Sequence, residues 1–97
     1  MIEIEALADA FGMPMTFHVG LTGAGGRAAS LQFISTISPH ERFIPAYEYY
    51  YVESNPLAYS ITNKPIEEFN GDNIKIPKKA GLSIDIDEDK LKYYTTI

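Results

Sequence analysis

His18 and Glu48, thirty residues apart, are the side chains in this sequence best suited to moving a proton. Imidazole changes charge near neutral pH, so a histidine can take a proton and return it. Each residue ends a short apolar segment: Met13-Pro14-Met15-Thr16-Phe17-His18 in one case, Phe43-Ile44-Pro45-Ala46-Tyr47-Glu48 in the other. As strands, the two segments would deliver an imidazole and a carboxyl group to their C-terminal ends, where α/β folds gather their chemistry. Between them, residues Gly25 to Ile37 are rich in small side chains and read as the crossover helix that two parallel strands require. The expected geometry is two adjacent parallel strands aiming His18 and Glu48 at one mouth.

The rest of the chain supplies elements to hold that pair. Ile2, Leu7 and Ala10 or Phe11 recur at roughly helical spacing, and Gly12 followed by Pro14 predicts a helix end near Phe11. Ala28, Leu31, Ile34 and Ile37 form an apolar stripe that Pro39 closes, which is the crossover helix. Asn55-Pro56 starts a helical turn running to Ile61, since proline fits a first helical position where no donor is needed. Beyond Lys64-Pro65 the chain reads as polar loop, with a turn at Asn70-Gly71-Asp72-Asn73 before a short strand at Ile74-Lys75-Ile76-Pro77. Ile84 and Ile86 alternate with Asp85 and Asp87, and Glu88 and Asp89 then precede Lys90 and Lys92 in a terminal helical turn. A boundary near Lys64 separates a segment 1–64 from a tail 65–97.

The order of these parts resembles the C-terminal end of enolase-superfamily enzymes, in particular the branch of mandelate racemase, muconate-lactonizing enzymes and acid-sugar dehydratases. The residues that carry the resemblance are Leu7-Ala8-Asp9-Ala10-Phe11-Gly12-Met13-Pro14 leading into His18, then Glu48, Asn55-Pro56-Leu57, Gly71, Ile76-Pro77 and Gly81-Leu82-Ser83-Ile84-Asp85-Ile86-Asp87. Where that branch usually shows Pro-Gly-Leu-Gly, this chain has Ala80-Gly81-Leu82-Ser83. The resemblance implies an α/β fold, the C-terminal portion of a modified TIM barrel: its last two barrel strands plus a C-terminal tail. A complete barrel takes ~250 residues, so 97 residues imply a fragment of a larger enzyme or one product of a split gene.

Taken singly, a strand-end histidine is more often structural, and a strand-end glutamate is usually a solvated acid. The resemblance implies catalytic roles for both. His18 would abstract the proton beside a substrate carboxylate or protonate a leaving hydroxyl, with its orienting aspartate on the preceding strand, outside this chain. Glu48 would sit near the substrate carboxylate and, protonated, donate a hydrogen bond as enolate charge develops. Magnesium would supply the remaining charge stabilisation, held by ligands upstream of Met1. The implied parent activity is acid-sugar dehydration, with racemisation and cycloisomerisation sharing its intermediate, and the isolated chain is expected to be inactive.

Composition narrows the alternatives. With 45% hydrophobic and 22% charged residues the chain reads as globular, and it has no apolar tract long enough to span a bilayer. A net charge of -5 opposes binding to phosphate backbones, so nucleic acid is not an expected partner. The acidic start Met1-Ile2-Glu3-Ile4-Glu5 lacks the basic flank of a signal peptide, and the absence of cysteine removes disulfides and thiolate metal sites. A cytoplasmic location is the simplest reading. The rival reading is a small independent α/β module that binds a nucleotide or phosphate through the Gly20–Gly26 turn, because Gly23-Ala24-Gly25-Gly26-Arg27-Ala28 fits the loose dinucleotide pattern G-x-G-x-x-A. Against it, the preceding strand would end near Val19, several residues too early. Tyr47, Tyr49, Tyr50, Tyr51 and Tyr59 read as packing residues, and Asp85, Asp87, Glu88 and Asp89 as helix-start acids. Two strands cut from a barrel leave unpaired edges, so self-association is expected.

Overall fold

Ala24, Ala28, Leu31 and Ile34 recur at intervals of three and four residues, and a helix therefore stacks them on one face. The computed structural model describes residues 2–18, 22–37, 47–49 and 55–95. It contains that helix, with all four residues buried. The elements run α1 (Ile2–Ala10), α2 (Ala24–Ile34), α3 (Pro56–Tyr59), β1 (Glu68–Asn70), β2 (Asn73–Lys75) and α4 (Glu88–Tyr94). Helix α1 stops where the sequence predicts. Gly12 takes φ 65° there, so that its own N–H reaches Asp9 O and the Met13 N–H reaches Ala8 O, each at 2.9 Å, closing the helix end as a left-handed glycine does.

Proline opens α3 at its first turn, as expected. Asp87 caps α4, its carboxylate accepting from the backbone N–H groups of Asp89 and Lys90 at 3.1 Å each. The predicted turn at Asn70–Asn73 is the tip of an antiparallel hairpin in which Glu68 faces Lys75, Phe69 faces Ile74 and Asn70 faces Asn73. Gly71 supplies the positive φ, 62°, at the first loop position. The first strand of this hairpin falls where the sequence reads as loop. Glu68, Phe69 and Asn70 are all exposed, so no buried face left an alternating signature, and the turn aligns them.

Two apolar clusters sit on α2. In the first, Ala24, Ala28 and Leu31 meet Ile61 and Ile66, with Ile74, Ile76, Ile84 and Ile86 packed against them. Residues on both sides of Lys64 thus share one core. Backbone bonds tie the same parts together: Asn63 N–H donates to Asp85 O at 2.9 Å, and Asp87 N–H to Ile61 O at 2.7 Å. In the second cluster, Ile34 and Ile37 are covered by Phe17, Phe33 and Tyr47.

The regular elements are those of an α/β chain, but the first expected barrel strand takes a different form. Met13–His18 has no regular secondary structure. A strand exists only through hydrogen bonds to a neighbour, and among the described residues none pairs with this segment. Residues 43–46 of the second expected strand lie outside the described residues, and Tyr47 and Glu48 at its end are irregular. The sheet among the described residues is the antiparallel hairpin. No helix among them is long and apolar enough to cross a membrane.

Candidate functional site

The segments bearing His18 and Glu48 are both fastened to α2 by the aromatic residue that comes just before. Phe17 packs edge-on against Phe33 of α2, ring centroids 5.3 Å apart. Tyr47 lies against both apolar clusters. With their predecessors anchored on one helix, the two polar side chains meet: His18 Nδ1 lies 2.7 Å from Glu48 Oε2. The sequence reading places them at one mouth, and the structure brings them into direct contact.

This contact sets the chemistry open to the imidazole. A carboxylate facing Nδ1 makes that nitrogen the one that carries the proton, leaving the lone pair on Nε2. Glu48 thus faces the imidazole, whereas the sequence reading has it protonated and donating to the substrate, with the orienting aspartate outside the chain. The imidazole is 76% exposed and the carboxylate 35%. Water screens such a pair, so its value lies in orientation more than in stability.

Tyr47, the residue before Glu48, leads to a second, buried polar group. Arg27, on α2, donates from one guanidinium nitrogen to the carbonyl of Ala58 and from the other to Glu67 Oε2. Its guanidinium carbon stands 4.0 Å from the centre of the Tyr59 ring, a cation–π contact. The remaining Glu67 oxygen, Oε1, accepts from the Tyr47 hydroxyl at 2.6 Å. Both charged side chains are at most 5% exposed. Arginine is suited to such a place because its planar fork can satisfy a carboxylate and a carbonyl together.

Sequence reasoning missed this group, although one signal was present. Arg27 lies four residues before Leu31 and seven before Ile34, on the face that α2 buries. A charge there needs a buried partner. The partner was not legible, because Glu67 is forty residues away.

Burial, and after it the hydrogen bond and negative charge of Glu67, push the Tyr47 phenol well above its ordinary value. An unfolded tyrosine ionises near about 10. A raised folded value means that the neutral phenol stabilises the fold fully below about pH 10, and that this contribution is lost as pH climbs from there toward the folded value. We expect urea stability to fall more steeply between about pH 10 and 11.5 in the parent than in Tyr47→Phe. Parallel curves would show that the phenol has no such role.

The glycine turn presents a different picture from the nucleotide reading. Residues 20 and 21 lie outside the described residues. Gly23 precedes α2 in extended conformation, while Gly25 and Gly26 are inside the helix. A Cβ on Gly26 would come within 2.8 Å of Thr22 Cβ, so this glycine serves close packing. The one cation of the first turn, Arg27, is committed to Glu67 and Ala58. A cleft of about 260 Å³ beside Arg27, walled by Tyr49, Tyr59, Lys64 and Glu67, has neither His18 nor Glu48 in its lining. Asp85, Asp87, Glu88 and Asp89 form no metal cluster, and among the described residues no group of three potential ligands does.

An imidazole facing a carboxylate on an α/β scaffold is thus the site's geometry. The sequence model of the enolase C-terminal domain-like family matches residues 1–90, and the chain belongs to that family. The resemblance drawn from residue order is thereby borne out over nearly the whole chain. No curated protein and no solved structure matches it.

Proposed function

We propose that this chain supplies the proton-transfer residues of an enolase-superfamily enzyme acting beside a carboxylate, with an acid-sugar dehydratase as the favoured activity. The observation that carries this reading is the 2.7 Å contact between His18 Nδ1 and Glu48, which leaves Nε2 as the basic nitrogen. In the proposed reaction Nε2 takes the proton from the carbon beside the substrate carboxylate, and the C–H electron pair passes into an enediolate. The imidazolium, held by Glu48, then gives its proton to the neighbouring hydroxyl, which departs as water. The enol that remains becomes a 2-keto-3-deoxy acid.

The described residues do not fit a magnesium site, since no group of three suitable ligands comes together among them. The proposal assigns magnesium and its carboxylate ligands to a parent enzyme beyond these residues, in which residues 13–18 and 43–48 complete the barrel. The exposed apolar side chains of Ile2, Ile4, Leu7 and Phe11 along and after α1 support association of the isolated chain with itself in the absence of that barrel, in a cytoplasmic setting.

The test is formation of 2-keto acid from a panel of sugar acids in the presence of magnesium. The 97-residue chain alone is expected to give none above a His18→Ala control, and the chain joined to the remaining barrel is expected to turn over at least one acid. Turnover by the isolated chain would refute the placement of the metal ligands. A joined enzyme that forms no 2-keto acid from any member of the panel would refute the dehydratase reading.

A further inference from the structure

Tyr47 stands at the junction of the two polar groups. Its hydroxyl is held by Glu67 Oε1 at 2.6 Å, and the next residue in the chain, Glu48, faces His18. Glu67 is itself fixed, because its other oxygen receives Arg27, whose second nitrogen grips the carbonyl of Ala58. Three separate parts of the chain, α2, α3 and the segment leading into β1, are thus linked through Arg27 and Glu67 to one phenol. Consecutive Cα atoms are ~3.8 Å apart across a trans peptide, so a fixed Tyr47 leaves the Glu48 backbone little room to shift.

We infer that Tyr47 is a positioning residue: clasped by Glu67, it sets the Glu48 carboxylate against His18 Nδ1 and thereby selects which imidazole nitrogen is left free. The inference deepens the proposed function and rests on His18 as its proton carrier. Phe17 holds the histidine segment through apolar packing with Phe33, which fixes a ring but carries no directional bond. The glutamate segment has both, since Tyr47 packs on Ile34 and Ile37 and is hydrogen-bonded at its tip. The buried ion pair is thus the rigid post from which the exposed pair is hung. Such a post matters because a base misplaced by about 1 Å can lose on the order of 10²-fold in rate.

The measurement is the tautomer of neutral His18, read from the ring nitrogen shifts of the ¹⁵N-labelled 97-residue chain, with His40→Gln used for assignment. The parent chain is expected to show the Nδ1–H form in the majority. Glu48→Ala, which removes the acceptor, should abolish that majority. Tyr47→Phe keeps the ring and loses only the hydroxyl, and it should likewise lose the Nδ1–H majority while still unfolding cooperatively. Leu31→Val loosens the same core but removes no hydrogen bond of the clasp, and should keep the parent tautomer. If Tyr47→Phe does not fold, Arg27→Met/Glu67→Met takes its place, removing the acceptor for the Tyr47 hydroxyl along with both buried charges.

Retention of the Nδ1–H majority in the clasp variant, or an equal loss of it in Leu31→Val, overturns the inference. A parent chain without that majority overturns it as well. These outcomes are separable from failure of the proposed function. A tautomer that follows Tyr47 in an enzyme without activity on carboxylates would leave the positioning role standing and remove the reaction assigned to it.

Discussion

On the proposed function, replacing His18 with asparagine in the chain joined to the remaining barrel will lower kcat by about 10²- to 10⁴-fold and leave KM nearly unchanged. Asparagine keeps an amide N–H near the position of Nδ1 and so can still donate to Glu48, but it has no lone pair of useful basicity where Nε2 stands. Only the proton transfer is removed. Because the imidazole is largely exposed, its loss leaves no buried group without a partner and should not unfold the chain. Glu48→Gln retains an oxygen that can accept from Nδ1, as a neutral and weaker acceptor, so it should fall between the parent and Glu48→Ala. Steady-state kinetics across a sugar-acid panel decides the matter. Undiminished kcat in His18→Asn would reduce the histidine to a surface residue.

The second large effect is on stability. Arg27→Met will destabilise the fold by about 3–5 kcal/mol, the usual result of leaving one member of a buried ion pair without its partner. Glu67 would keep the Tyr47 hydroxyl but face the core with an uncompensated charge, and the Ala58 carbonyl would lose its donor. A small domain has roughly 5–15 kcal/mol in all, so the variant should unfold at far lower urea. Arg27→Met/Glu67→Met should recover most of the loss, since exchanging a whole buried pair for apolar side chains of similar volume is often neutral or favourable. Urea denaturation of the parent, the single variant and the double variant measures both halves of the claim. A single variant as stable as the parent would show that the pair is not isolated from water.

The two variants act on different links between sequence and function, and the sequence reveals them unequally. His18 and Glu48 stand out by residue type and by the apolar runs before them, and the order of parts around them was enough to indicate the family. The Arg27 clasp has no such signature. Its members, residues 27, 47 and 67, belong to no motif, and only the register of Arg27 on the buried face of α2 marked one of them.

Local chemistry explains what the sequence by itself determined. The apolar stripe of α2, the glycine that closes α1, the proline that opens α3, the aspartate that caps α4 and the glycine at the hairpin tip all act within a few residues of where they stand. Patterns of spacing and turn chemistry therefore disclose them. The first hairpin strand, and the absence among the described residues of a ladder along Met13–His18, depend on a partner strand, which no single segment encodes. The tertiary structure alone decided that Glu48 touches Nδ1 of His18 instead of merely sharing a mouth with it, and that a buried Arg27–Glu67 pair holds the adjacent tyrosine. Ion pairs and side-chain hydrogen bonds act over about 3 Å, whereas the residues that make these contacts lie thirty and forty positions apart, and only packing against α2 brings them together.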